Sequence, residues 1–149
     1  MNGTALLGLT VTVTLLVVAV FLGSHLSIFF DAVSGILVCG VTGGLLVATH
    51  GLRTTTTRLL GGLGRLLLPD HFTPWTPEDA QEANHIASSA VRFSLLSGVL
   101  GGLIGFISML QASGDLTALE PGTTLMVLSG FYSLVLTGLW FLPIARRFR

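Results

Sequence analysis

Three hydroxyl side chains recur at every fourth position near the end of the chain: Ser129, Ser133 and Thr137. Residues four apart lie on the same side of an α-helix, so a helix here would carry its hydroxyls as one stripe. The surrounding sequence, LMVLSGFYSLVLTGLWF, is otherwise apolar. Hydroxyls in such a setting can hydrogen-bond an ion, a water molecule or a carboxyl group. The stripe therefore predicts either a helix–helix contact or a polar edge along a narrow passage.

Small residues are concentrated in a second apolar segment, VRFSLLSGVLGGLIGFISMLQ. Gly98, Gly101 and Gly105 follow one another at spacings of three and four, which places them on one face of a helix. In lipid, such faces let helix backbones approach closely, because apolar burial cannot drive helices together there. We therefore assign these three glycines to helix packing, between subunits or within one.

The apolar segments contain no Asp, Glu, Lys or Arg well inside them. A proton or sodium carrier normally keeps an ionisable group at membrane depth, despite a cost of several kcal/mol. If this protein conducts ions, the titrating carboxylate must therefore come from another chain. A small-molecule transporter with its own membrane acid is disfavoured for the same reason.

Other kinds of chemistry find no support in the sequence. The four histidines have no spacing suited to a metal site, and surface or interfacial roles are expected for them: His25, His50, His71 and His85. No nucleophile–base arrangement, phosphate-binding glycine loop or zinc motif is visible. We expect neither enzymatic activity nor a cofactor nor a metal.

The composition identifies the solvent in which these segments fold. Of the 149 residues, 51% are hydrophobic and 9% are charged, against about 25% charged in a typical soluble domain. Glycine occurs 19 times, a frequency typical of closely packed transmembrane helices. The formal net charge is zero, so nothing indicates a nucleic-acid partner. The sequence predicts a single-domain integral membrane protein, residues 1–149, with the lipid bilayer as its main solvent.

Four apolar segments are long enough to cross about 30 Å of hydrocarbon, and they occupy residues 5–23, 33–50, 91–112 and 123–143. The first is longer than the apolar part of a usual signal peptide and no cation precedes it, so we expect a retained span. Every Arg lies in the connecting segment 51–90, at Arg92 or in the C-terminal tail, whereas the other two connections carry only acids. The positive-inside rule then predicts cytoplasmic N- and C-termini.

Helix boundaries can also be read from the sequence. Thr76-Pro77-Glu78-Asp79 combines a capping hydroxyl, a first-position proline and first-turn acids. No breaker follows, so this helix is expected to run into the third span, to be about 35 residues long and to begin in the cytoplasm. Asp31 is expected to cap the second span, and Glu120 with Pro121 to begin the fourth. The segment LRTTTTRLLGGLGRLLL is expected at the membrane interface.

Two parts of the chain resemble one known family. The segment FLGSHLSIFFDAVSGILVCGVTGGLL, residues 21–46, resembles the first-to-second-span region of MotA-type proteins. The matching residues are Phe29 or Phe30, Asp31, Ser34, Gly40, Thr42 and Gly43. Residues 94–148 are similar to the last two spans of the MotA/TolQ/ExbB proton-channel family, with a Gly-rich third helix, a GD..AL.PG turn and a closing FLP.A followed by basic residues.

The resemblance implies a mechanism and a set of partners. Family members form a homo-oligomeric ring, commonly a pentamer, in the bacterial cytoplasmic (inner) membrane, around a single-span MotB/ExbD/TolR-like protein. An Asp on that partner carries the ions, whose flow is converted into force. By position, Gly102 falls where ExbB/TolQ-like members place a third-helix Thr, and Ser129 with Gly130 falls where the family often has a Thr pair. Gly102 and Gly130 therefore join Ser129, Ser133 and Thr137 as candidates for the ion path or partner contact.

The chain departs from the flagellar members in one respect. Those proteins carry a large cytoplasmic domain between the second and third spans, whereas only residues 51–90 occupy that position here. Direct work on a flagellar rotor is therefore not expected, and energy transduction toward the periplasm or another machine fits better. The rival hypothesis is a non-conducting membrane scaffold of the same architecture that only anchors a partner.

Overall fold

The computed structural model describes residues 3–23, 29–67, 76–111 and 116–147. Within these ranges all regular structure is helical and there is no strand. The helices are α1 (Gly3–Gly23), α2 (Ala32–His50), α3 (Leu52–Leu67), α4 (Pro77–Gln111) and α5 (Leu116–Val135), which continues through a π-helical turn (Leu136–Phe141) into α6 (Leu142–Arg147).

Three of the described helical segments are long and apolar enough to cross a membrane: Ala32–His50, Pro77–Gln111 and Leu119–Arg146. The all-α membrane class expected from the sequence agrees with this. The apolar part of α1, Leu7–Leu22, is a shorter helix. The fourth span and the orientation of the termini remain predictions.

Capping side chains begin two of these helices at the predicted residues, and a glycine ends one of them. Asp31 caps α2, as predicted, because its carboxylate accepts hydrogen bonds from the backbone amides of Val33 and Ser34. Gly51 ends α2 with a φ of 81°, a left-handed conformation that costs glycine little. Thr76 caps α4 by accepting a bond from the amide of Asp79 at 3.2 Å.

α4 is one unbroken helix of 35 residues. The prediction that a single helix of about 35 residues follows Thr76 is therefore confirmed. At the usual rise it is roughly 50 Å long. α3 is also continuous across its threonines and glycines. Its first turns are joined to the start of α4 by Arg58, which contacts Asp79 at 2.7 Å and Glu82 at 2.8 Å.

The expected start of the last span at Glu120 and Pro121 is wrong. α5 begins at Leu116 and contains Pro121 in its interior, so Glu120 does not cap this helix. A proline in the second turn removes one backbone hydrogen bond and its ring crowds the carbonyl four residues earlier, and α5 carries this cost in extending back to Leu116. The expected loop residue Asp115 lies outside the described residues.

The helices pack around the pair α4 and α5. α2 lies against both, α3 and α6 pack on the same helix α4, and α1 has little contact with the rest of the described chain. An apolar core is found beside α6, where the buried side chains are Leu46, Ile86, Ala90 and Phe141. Further along α4 the buried residues are serines and glycines instead: Ser94, Ser97, Gly98, Gly101 and Gly105.

Candidate functional site

The three glycines assigned to packing lie where α4 touches α5. A Cβ placed on Gly105 would lie 2.6 Å from both the carbonyl oxygen of Gly122 and the amide nitrogen of Met126. A Cβ on Gly98 would lie 2.6 Å from the Cβ of Ser133. Real Cβ atoms do not approach other atoms so closely, and at Gly105 the obstacle is backbone. The two helices can therefore meet at this distance only if these α4 positions lack a side chain.

Gly101 occupies the same seam one turn before Gly105. A Cβ at this position would lie 2.6 Å from the hydroxyl oxygen of Ser129 and 3.2 Å from Cδ2 of Leu37 on α2. Gly101 therefore lies where all three helices converge. Together with Gly98 and Gly105 it belongs to a contact within one chain.

The predicted hydroxyl stripe faces this seam. Ser129, Ser133 and Thr137 are all buried against other residues of the same chain. Ser129 hydrogen-bonds the carbonyl of Met126 at 3.2 Å and lies 3.5 Å from that of Gly98. Ser133 donates to the carbonyl of Gly130 at 3.0 Å. The serines of the stripe thus use their protons on backbone carbonyls of α4 and α5.

A second group of hydroxyls joins α4 to both of its neighbours. Ser94 donates to the carbonyl of Ser133 at 3.1 Å, and Ser97 donates to the carbonyl of Ser94 at 2.7 Å. The Ser97 oxygen also lies 3.0 Å from the hydroxyl of Thr42 on α2. Because Ser97 uses its proton on Ser94, Thr42 is the donor to Ser97. The pairing of Thr42 with Ser97 was not predicted from the sequence. The available signal was that both are hydroxyl residues in otherwise apolar segments.

Thr137 differs from the two serines. Its side chain is 8% exposed, and its hydroxyl is the buried side-chain polar group without a hydrogen-bond partner among the described residues. It lies in the π-helical turn, where the amide of Leu142 bonds the carbonyl of Thr137 rather than that of the next residue. Pro143 follows directly, and a π-turn relieves the clash of a proline ring with the preceding turn. Within the described chain, Thr137 is therefore the one member of the stripe whose hydroxyl proton has no hydrogen-bond acceptor.

Gly102 and Gly130, the two glycine candidates from the family resemblance, lie outside the seam. Neither Gly102 nor Gly130 would bring a Cβ within 4 Å of another group, and both are partly exposed. Gly138 is likewise open. The structure thus separates the candidates. Ser129, Ser133 and Thr137 are buried inside the chain, whereas Gly102 and Gly130 are partly exposed.

A polar junction not foreseen from the sequence fixes the start of α2 to α5. The Tyr132 hydroxyl donates to the carbonyl of Phe29 and accepts from the amide of Asp31 at 3.1 Å. The hydroxyl of Ser34 donates to the Asp31 carboxylate, whose pKa is lowered by that bond and by the amide of Ser34. These bonds outweigh the partial burial that raises the pKa. Asp31 therefore carries a stable negative charge outside the apolar part of α2.

The seam offers hydrogen bonds but no charge. The buried polar residues of the described helices are serines and threonines only. No group of three or more His, Cys, Asp or Glu that could hold a metal ion occurs within the described ranges. This arrangement can orient a polar partner, and its hydroxyls do not titrate near neutral pH. A scan against protein-family models and a search of curated proteins each gave no match to this chain.

Proposed function

We propose that this chain is the ring-forming subunit of an ion-motive-force-driven, proton-powered complex in the bacterial inner membrane. Several copies, commonly five in the family it resembles, would surround a single-span MotB/ExbD/TolR-like partner. The chain would cross the membrane four times with both termini in the cytoplasm. The partner would supply the carboxylate that accepts and releases protons, and this chain would supply the wall around it.

The observation that carries this proposal is the uncharged polar interior of the long apolar helices. Hydroxyls are buried along α2, α4 and α5, and no charged side chain is buried with them in the described residues. Moving protons across a bilayer requires a group that titrates, and such groups are expensive and functional wherever they occur in membranes. A chain that buries hydroxyls and lacks an acid at depth is suited to surround a titrating group on another chain.

The open glycines indicate where the partner would lie. Gly102 on α4 and Gly130 on α5 carry no side chain, and a Cβ atom at either position would have no neighbouring atom within 4 Å. A transmembrane helix of a partner can approach such positions closely. Ser129 and Ser133 would lie beneath this surface, where their side chains set the distance between α4 and α5. Thr137, with its unused hydroxyl, is the member of the stripe best suited to bond water or a carboxyl group on the path.

The rival function is a non-conducting scaffold of the same architecture, and one observation favours it. The hydroxyls of Ser94, Ser97, Ser129 and Ser133 all donate to groups within the protomer. Hydroxyls that are satisfied in this way stabilise a helix contact and leave little for an ion. In this alternative the ring would only anchor its single-span partner.

The assembly is tested by purifying the affinity-tagged full-length chain from its own membranes and measuring the intact mass of the complex by native mass spectrometry. The proposal predicts several copies of the chain together with a protein of one transmembrane helix that carries a membrane Asp. A monomer without such a companion would overturn both the proposal and its rival. Proton flux then separates the conducting ring from the scaffold.

A further inference from the structure

Two histidines that are far apart in the sequence meet at the junction of α2, α3 and α4. His50 is the last residue of α2 and His85 lies in the third turn of α4. Their ring centres are 5.6 Å apart and the ring planes are inclined by 64°. His85 is exposed and His50 is partly exposed, so both rings can be reached by solutes.

The hydrogen bonding of Thr49 favours one tautomer of His50. The Thr49 hydroxyl has one proton, and it donates this proton to the carbonyl of Leu45 at 2.8 Å, with that of Leu46 at 3.2 Å. The same oxygen lies 2.7 Å from Nδ1 of His50. With that proton used, the oxygen accepts from Nδ1–H of His50, and this tautomer leaves the lone pair of the ring on Nε2.

That lone pair has no partner within the described chain. No hydrogen bond involves Nε2 of His50, and neither ring nitrogen of His85 is hydrogen-bonded there. The nearest acid along α4, Glu82, is bound to Arg58 at 2.8 Å. Two imidazole rings from separate helices therefore meet, and each has a ring nitrogen that bonds no described residue.

We propose that His50 and His85 together bind one divalent first-row transition-metal ion, with Zn²⁺ as the best-suited ion and water in the remaining positions. Neutral imidazole nitrogen is a preferred ligand of this ion class. Two imidazoles on one tetrahedral Zn²⁺ place their ring centres roughly 5–6 Å apart, because each Zn–N bond is about 2.0–2.1 Å long. The observed spacing agrees with this requirement. The contact of Thr49 with His50 supplies the second-shell bond that metal-bound histidines normally have.

A metal at this position would tie the end of α2 to α4. It would hold α3 in place as well, since α3 begins directly after Gly51. This site is independent of the α4–α5 seam and of ion conduction. Its failure would therefore leave the proposed function untouched, and failure of the proposed function would leave this site untouched.

Zn²⁺ titration of the full-length protein in lipid nanodiscs, followed by isothermal calorimetry, tests the site. The wild type and the control His25→Gln are expected to bind one Zn²⁺ per chain. His50→Gln and His85→Gln are expected to lose it, and Thr49→Val is expected to bind about 10- to 100-fold more weakly. No zinc binding by the wild type, or binding that survives in both histidine variants, would overturn the proposal.

A second measurement does not depend on the variants folding. Cu²⁺ added to the wild type at one equivalent is expected to give an electron paramagnetic resonance spectrum with hyperfine coupling to two imidazole nitrogens. A spectrum with one nitrogen, or one indistinguishable from that of Cu²⁺ in empty nanodiscs, would contradict a shared site. Circular dichroism of each variant checks that the helix content is retained.

Discussion

Gly105 of α4 and Gly122 of α5 face each other with no side chain between their backbones. A Cβ on Gly105 would lie 2.6 Å from the carbonyl oxygen of Gly122, and a Cβ on Gly122 would lie 2.8 Å from that of Gly105. This mutual approach sets the spacing of the two helices at one end of the seam. The hydroxyls of Ser129 and Ser133 occupy the remainder of the same seam.

Gly105→Ala is expected to destabilise the protein by about 1–3 kcal/mol, the usual range for overpacking a tight contact. The new methyl group meets backbone atoms, which cannot rotate away. The matched control is Gly102→Ala on the same helix, where the methyl group would meet nothing within 4 Å. Its stability should be unchanged or slightly higher, since Ala exceeds Gly in helix propensity by about 1 kcal/mol. Reversible unfolding in mixed micelles measures both, and equal losses in the two variants would contradict the account of the seam.

The hydrogen bond from Thr42 to Ser97 is expected to couple α2 to α4. In a double-mutant cycle with Thr42→Val and Ser97→Ala, the interaction energy should be about 0.6 kcal/mol and no more than about 1.7 kcal/mol, as for other hydroxyl pairs between membrane helices. Ser108→Ala is the control, because Ser108 is exposed and bonds only the carbonyl of Ile104 on its own helix. A cycle with no coupling would mean that the two hydroxyls do not meet.

Tyr132→Phe should loosen the start of α2 locally. The substitution removes the hydroxyl that accepts from the Asp31 amide at 3.1 Å, a bond worth about 1 kcal/mol. Hydrogen exchange of this amide is expected to accelerate roughly fivefold, since about 1 kcal/mol corresponds to that factor. The amide of Ser34 is the internal control, because it is bonded by the Asp31 carboxylate instead. Unchanged exchange of the Asp31 amide would show that the Tyr132 hydroxyl does not bond it.

The lowered pKa of Asp31 predicts a specific pH dependence. Because the folded-state pKa lies below the usual value of 3.8, the charged carboxylate stabilises the fold at all pH values above 3.8. That contribution is lost as the pH falls through the folded-state pKa. Asp31→Asn should therefore be less stable than wild type at pH 7, and the difference should shrink below pH 3.8. A difference that grew on acidification would show that the carboxylate is not held in its charged form.

The sequence predicted the long apolar helices but not all of their boundaries. Long apolar runs identified α2, α4 and α5, and the capping residues Asp31 and Thr76 identified two helix starts. The start of α5 was misjudged because Glu120-Pro121 forms an acceptable helix start by local chemistry alone. The residue before Leu116 is Asp115, which is also a good capping type, so the sequence offered two possible helix starts and local chemistry alone did not decide between them.

The candidate site was less accessible to sequence reasoning. A four-residue period identifies the face that carries Ser129, Ser133 and Thr137, but it cannot identify what that face touches. The structure turns this face toward α4 of the same chain. His50 and His85 show the same limit, because their proximity depends on how α3 returns the chain to α4 and leaves no spacing that resembles a metal motif.

The central claim is that this chain surrounds a proton-carrying acid that another protein supplies. The most direct test is proton flux into liposomes that contain the chain alone, the chain with its co-purified single-span partner, or the chain with that partner's membrane Asp changed to Asn. We predict flux only with the unmodified partner. That flux should be smaller when the chain carries Thr137→Val. Flux from the chain alone, or flux that persists after the partner's Asp→Asn change, would contradict the claim, and a stable complex without any flux would establish the scaffold instead.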